Sequence, residues 1–197
     1  MLSLRQRQRP LVIMRLLLAS GFLGASGWGT GPNPSRSGLL AFTHKVQPWT
    51  DAQIAAVCHA HRGHLRLLPE IMTGCGLRIA QALALAVGDF DFDEKILHVS
   101  RQFERLGKDH VYALPKNDRE RDVPLPDWAA AAMRAHLSSY PAWTCTLPWE
   151  KATGKPQTHN LLFHWVDGSY VRYRNYRETV WKPALPSAGI IARRERG

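Results

Sequence analysis

Apolar positions recur at helical spacing just after residue 50. Ile54, Val57 and Cys58 share one face, and Thr50 followed by Gln53 has capping-box spacing, so a helix is predicted over about 51–61. Leu65, Leu68, Ile71 and Met72 continue at three- and four-residue intervals. They predict a second helix that Pro69 kinks or delays and that Gly74 stops. In TGCGLRIAQALALAVGDFDF, residues 73–92, Leu77, Ile79, Ala82, Leu83 and Leu85 build a further buried helical face, which opens on a glycine-loosened turn carrying Arg78.

The period then shortens to two. Ile96, His98 and Ser100 alternate with Leu97, Val99 and Arg101 after an Asp-rich turn, predicting a strand near 95–101. Two shorter strands are predicted at 111–114 and 121–125, joined by PKNDRER as a hairpin turn or short loop. Asp127 reads as the cap of an alanine-rich helix, WAAAAMRAHLSSY, that ends before Pro141. A loop of about 20 residues is expected next, then a fourth short strand at 161–163, LLF, before the Asp167, Gly168 turn. The last element is a helix over about 174–185, its end bent or shortened by Pro183. The class is therefore α+β, mainly helical with a small antiparallel three-stranded sheet.

Length and charge narrow the function. A chain of 197 residues can bury one adequate core and carry an extension. The net charge of +10 favours polyanionic partners, but it is partly a property of the N-terminal segment: residues 1–50 hold no Asp or Glu, against Arg5, Arg7, Arg9, Arg15, Arg36 and Lys45. Residues 1–29 have the basic start and apolar middle of a signal peptide. Arg15 interrupts the apolar run, leaving no clean leader and no membrane span, so a secreted or membrane-attached basic protein is kept only as an alternative. Residues 20–38 are rich in Gly, Ser and Pro and read as a mobile segment. Cys58, Cys75 and Cys145 show no CxxC spacing. Neither a disulfide framework nor a zinc site is indicated, and a reducing, cytoplasmic setting fits. The organisation expected is a basic, flexible segment over 1–45, a folded unit over 46–190 and a basic tail over 191–197.

Arg78 is the first candidate for chemistry. A guanidinium offers a permanently charged planar fork that matches two phosphate oxygens, although a short glycine-flanked arginine is equally an exposed residue at a helix start. Lys116, between LP and VPLP, is by itself an ordinary solvated turn lysine. The two together are more specific. TGCGLRIAQALALAVGDFDF, then ALPKNDRERDVPLP, LLF, DG and the helix ending WKPALPSAGI resemble the first part of the catalytic domain of tyrosine recombinases, the phage integrase family. The resemblance spans about residues 46–190 and is nearest to actinobacterial phage-type integrases.

That resemblance implies attack by a tyrosine on a DNA phosphodiester, with no metal or nucleotide cofactor. Arg78 matches the first of two arginines that stabilise charge on the non-bridging oxygens, and Lys116 matches the general acid that protonates the leaving 5′-oxygen. Arg101, Arg119, Arg121, Arg172 and Arg174 are the accompanying candidates for contact with double-stranded DNA. The family's HxxR motif and tyrosine nucleophile have no match after PALPSAGI. The HxxR at His59 to Arg62 precedes Arg78 and is taken as coincidence, and Tyr170, Tyr173 and Tyr176 are read as packing or DNA-flanking aromatics. Gln81 stands where the family usually has an acid supporting the first arginine. The expectation is a truncated recombinase that binds DNA without cleaving it alone. The alternative is a non-catalytic antagonist or partner of an intact recombinase protomer.

Overall fold

The computed structural model describes residues 48–61, 63–115 and 119–192. Helix α1 (Asp51–Ala60) begins as its sequence dictates: Gln53 N donates to Thr50 Oγ1 at 3.2 Å, and Thr50 N donates to Gln53 Oε1 at 2.9 Å. After a 3-10 turn at Gly63–Arg66, helix α2 (Leu67–Cys75) follows. Pro69 is tolerated because it lies in the first turn, where backbone N–H groups lack intrahelical partners anyway. Gly74 does not stop this helix, contrary to expectation. The stop is Gly76, left-handed at φ 61°, a conformation glycine adopts without steric cost. Gly74 is instead the point where Trp128 packs onto α2: a Cβ there would meet two ring carbons at 2.4 Å.

Helix α3 (Ile79–Leu83) leads through a 3-10 turn, Val87–Asp89, into an antiparallel sheet of β1 (Phe90–Asp91), β2 (Ile96–Val99) and β5 (Arg121–Pro124), ordered β1-β2-β5. Leu97 and Val99 point inward as the alternation predicted. The three-stranded sheet thus exists, but its membership differs from the reading of the sequence. Strand β4 (Asp109–Ala113) pairs with β3 (Gln102–Leu106) across a two-residue turn, with Gly107 at φ 62°, and so does not form a hairpin with β5. The segment that carries Lys116 therefore joins two separate sheets.

Helix α4 (Asp127–Ser139) starts one residue earlier than supposed. Pro126 is its N-cap, and Asp127, rather than capping, pairs with Lys95 at 2.7 Å. The expected 20-residue loop is a hairpin of β6 (Trp143–Pro148) and β7 (Pro156–Leu161). Most of LLF lies beyond β7; Leu162 N bonds Leu85 O at 3.0 Å, tying this segment to the end of α3.

The final helix comprises α5 (Tyr173–Tyr176), a π turn at Arg177–Trp181 and α6 (Lys182–Ser187). Pro183 explains the widening. It has no N–H to return to Thr179, and the Lys182 N–H reaches back five residues to Arg177 O. Leu68, Ile71, Leu83, Leu97, Met133 and Phe163 are fully buried in one core beneath α2, α3 and α4. Among the described residues no helix is long and apolar enough to cross a membrane.

Candidate nucleic-acid interface

The left-handed turn at Gly76 sets the position of Arg78. Leu77 N donates to Met72 O at 3.0 Å, so the chain reverses directly off the end of α2, and Leu77 is buried in the core. Arg78 is then extended, φ −73° and ψ 150°, and its carbonyl accepts from Gln81 N and Ala82 N at 3.0 and 2.9 Å. The backbone of Arg78 is held by these bonds while its side chain is exposed. Among the described residues, no hydrogen bond or ion pair engages its guanidinium. A permanently charged fork on a fixed backbone is a preorganised ligand for an oxyanion.

Gln81 connects this arginine to a second one. Its Oε1 accepts from Arg78 N at 3.1 Å and from Arg121 Nη2 at 3.0 Å, and Arg121 Nη2 also lies 3.4 Å from Gly76 O. Both partners of Oε1 are donors, which fixes the amide orientation, since a flipped Nε2 would face two donors. Nε2 is then left inside the protein, the one buried side-chain polar atom without a partner among the described residues. Such an orphan costs about 1–3 kcal/mol unless an acceptor reaches it. Burial, and then the charge of Arg78, hold the Arg121 guanidinium below its ordinary pKa, so the two cations are within electrostatic reach of each other. The sequence, through its resemblance to the family, marks Gln81 only as an expected departure from an acid. It does not show that Gln81 grips Arg121, 40 positions away.

The remaining candidates fall in different places. Lys116 lies outside the described residues, as does Arg62 of the HxxR at 59–62. Arg119 is exposed at the entry to β5. Arg172 and Arg174 are exposed at the start of α5, which packs against α3, and the Arg172 guanidinium sits 5.4 Å from the Tyr170 ring centre. His110 joins that patch: burial, then the charges of Arg172 and Arg105, lower its pKa. The sequence reading missed Arg105 and His110 here, because their facing register across β3 and β4 depends on the unpredicted hairpin.

Arg101 does not face outward. Only 7% exposed, it turns into the protein, donating to both carboxylate oxygens of Asp89 at 2.7 and 2.6 Å and to Ala84 O at 3.1 Å. Those bonds occupy the fork that a phosphate would need. Of the three tyrosines, Tyr176 is 2% exposed and bonded to His61 Nε2 at 2.9 Å, consistent with packing; Tyr170 is partly buried against Phe103 and Tyr173 is exposed. Among the described residues no group of three or more His, Cys, Asp or Glu is arranged to hold a metal.

This arrangement of a short arginine-capped helix, small antiparallel sheets and a long closing helix is that of the tyrosine recombinase catalytic fold. Residues 50–182 match the phage integrase family, and the chain belongs to it. It is 25% identical over 150 residues to an integrase/recombinase of Escherichia coli and equally to one of Pseudomonas aeruginosa, in each case covering 73% of this chain and 39% of the relative. The chain thus spans about two fifths of the length of these relatives. Among solved structures it resembles the Tn1549 transposon integrase in complex with circular intermediate DNA, with TM-score 0.55 and 22% identity over 70% of this chain and 44% of that one. It also resembles XerA recombinase, with TM-score 0.50 and 14% identity over 82% and 46%. At such identities the likeness is one of fold.

Proposed function

We propose that this chain holds double-stranded DNA through phosphate contacts made by Arg78 and Arg121, with Arg119, Arg172 and Arg174 supporting them. The observation that carries this reading is the exposed Arg78 guanidinium, unpaired among the described residues, on a backbone locked between Gly76 and α3. Lys116 is proposed to supply the proton to a leaving 5′-oxygen in a complete recombinase site, by its place in ALPKNDRERDVPLP. By itself this 197-residue chain binds DNA without cleaving it. Its support is chemical: a phosphodiester exchange needs a positioned nucleophile and charge stabilisation beyond one arginine pair. Of the three tyrosines after the strands, Tyr176 is held inside by its bond to His61, while Tyr170 packs on Phe103 and Tyr173 lies exposed with no base bonded to it among the described residues. The unbridged cysteines suit a reducing cytoplasm.

The test is retention of a short mixed-sequence duplex across a salt series, together with incubation on a nicked suicide substrate. Retention at low salt that falls steeply with rising salt, with no covalent adduct, is expected. Absence of retention at low salt overturns DNA binding, and a covalent adduct overturns the inability to cleave. A second reading places the chain beside an intact recombinase protomer of the same family. In that case, excess chain changes recombination by the intact protein, and no change counts against it.

A further inference from the structure

Gln81 presents a problem that the fold alone does not resolve. Its oxygen is doubly engaged by Arg78 N and Arg121 Nη2, while its NH2, on the same amide carbon, is buried without an acceptor among the described residues. A carboxylate at this position would have no such orphan and would neutralise Arg121. The amide leaves the charges of the Arg78 and Arg121 guanidinium groups, which act on each other, without a neutralising partner on α3. No acid pairs with either arginine among the described residues. A cluster of this kind has unmet demand for one chemical class, an oxyanion with several acceptor oxygens.

We propose that Arg121 is a second phosphate ligand acting with Arg78, and that Gln81 is the positioning residue that aims it. The proposal rests on the DNA-binding reading of the same surface and specifies how that surface works. Gln81 is suited to the task because it sits within α3, is wholly buried and touches both arginine residues, one through its backbone and one through its guanidinium. Arg121 opens β5, where pairing with Val99 of β2 fixes its backbone. One amide therefore sets the relative placement of two elements that are 40 residues apart in sequence. An arriving phosphate gives the two cations a shared counter-charge, while Gln81, itself out of reach in the interior, holds Arg121 in place to meet it.

The experiment uses the full chain, a mixed-sequence duplex and inorganic sulfate. Arg121→Ala should reduce the slope of log affinity against log salt by about 0.9, the share of one phosphate contact. Arg121→Lys should keep that slope, since the charge remains, while losing the rise in melting temperature that sulfate gives the wild type, since the fork is gone. Gln81→Met, close in shape, should weaken DNA binding several-fold, and should have no further effect in the Arg121→Ala background. A residue with only a structural role would shift stability without moving the salt slope and without this non-additivity. An unchanged slope for Arg121→Ala, or additive effects in the double variant, overturns the proposal.

If Gln81→Met does not fold, the slopes of Arg121→Ala and Arg121→Lys decide alone. If the wild type fails to retain DNA at all, the DNA reading falls by itself. Sulfate then still judges the site: stabilisation abolished by Arg121→Ala supports it, and equal stabilisation in both proteins overturns it.

Discussion

Arg101 and Asp89 form a buried ion pair in which Arg101 Nη2 donates to both carboxylate oxygens, at 2.7 and 2.6 Å, with the two side chains 6% and 8% exposed. Asp89 Oδ2 also accepts from Ala86 N at 2.8 Å, and Arg101 Nε donates to Ala84 O, so the pair fastens the turn after α3 to the start of β3. Removing one partner strands the other charge in the interior, which typically costs about 3–5 kcal/mol. Arg101→Met should therefore lower the urea midpoint strongly. A variant as stable as the wild type would show that the pair does not hold this turn.

Gly74 separates helix propensity from packing. Alanine in a helix interior is favoured over glycine by about 1 kcal/mol, yet a Cβ at Gly74 would stand 2.4 Å from Trp128. Since Trp128 packs half-buried against the core, displacing its ring should outweigh the gain, and Gly74→Ala should destabilise by about 1–2 kcal/mol net. Thermal melting with the Trp fluorescence signal reads both quantities. A stabilised variant with an unmoved signal would mean that the ring yields freely.

Tyr176 closes the last helix onto the first. His61 Nδ1–H donates to Val57 O at 2.7 Å, which leaves Nε2 to accept from the Tyr176 hydroxyl. Tyr176→Phe deprives a buried nitrogen of its donor and should cost about 1–3 kcal/mol, measured by chemical denaturation. DNA retention at saturating protein should persist. A specific loss of DNA binding in a fully folded variant would assign this tyrosine a role beyond packing.

Two buried histidines, His61 and His136, and two half-buried ones, His64 and His159, set the pH response. Burial lowers His61, His64 and His136 below 6.5, and burial with the nearby Arg101 charge takes His159 down to about 4. Below about pH 6.5 the unfolded chain takes up protons that the native state refuses, so stability is full near neutrality and declines as pH falls. Melting temperature should drop between about pH 7 and about pH 5, before most carboxylates titrate. His159→Gln should flatten the acid end of that decline. A melting temperature that is level or rises on acidification contradicts these assignments.

The sequence made the helices legible and the pairing of strands much less so. Thr50 and Gln53 specify the start of α1 through local bonds, and Leu97 and Val99 announce the inner face of β2, because both signals are carried by near neighbours. Strand β3 is hidden by Glu104 and Arg105, adjacent residues that are both exposed toward the turn end of the ribbon, so only Phe103 is left to mark an inner face. Strands β6 and β7 were hidden for a related reason. Thr144 with Asn160, and Thr146 with Thr158, face solvent as hydrogen-bonded polar pairs, so the apolar alternation that marks a strand is missing. Arg78 was recognisable from its glycine turn and neighbours. The burial of Arg101 and the grip of Gln81 on Arg121 depend on contacts between distant segments, which no local pattern encodes.

The most direct test of the account compares wild type with Arg78→Ala in duplex binding over a salt series. Arg78 is exposed and its side chain holds nothing else among the described residues, so the variant should keep its melting temperature within about 0.5 kcal/mol equivalent of stability. Its affinity should fall at low salt, and the slope against log salt should shrink by about 0.9. A folded Arg78→Ala protein that binds DNA with wild-type affinity and slope would contradict the claim that this arginine is a phosphate ligand.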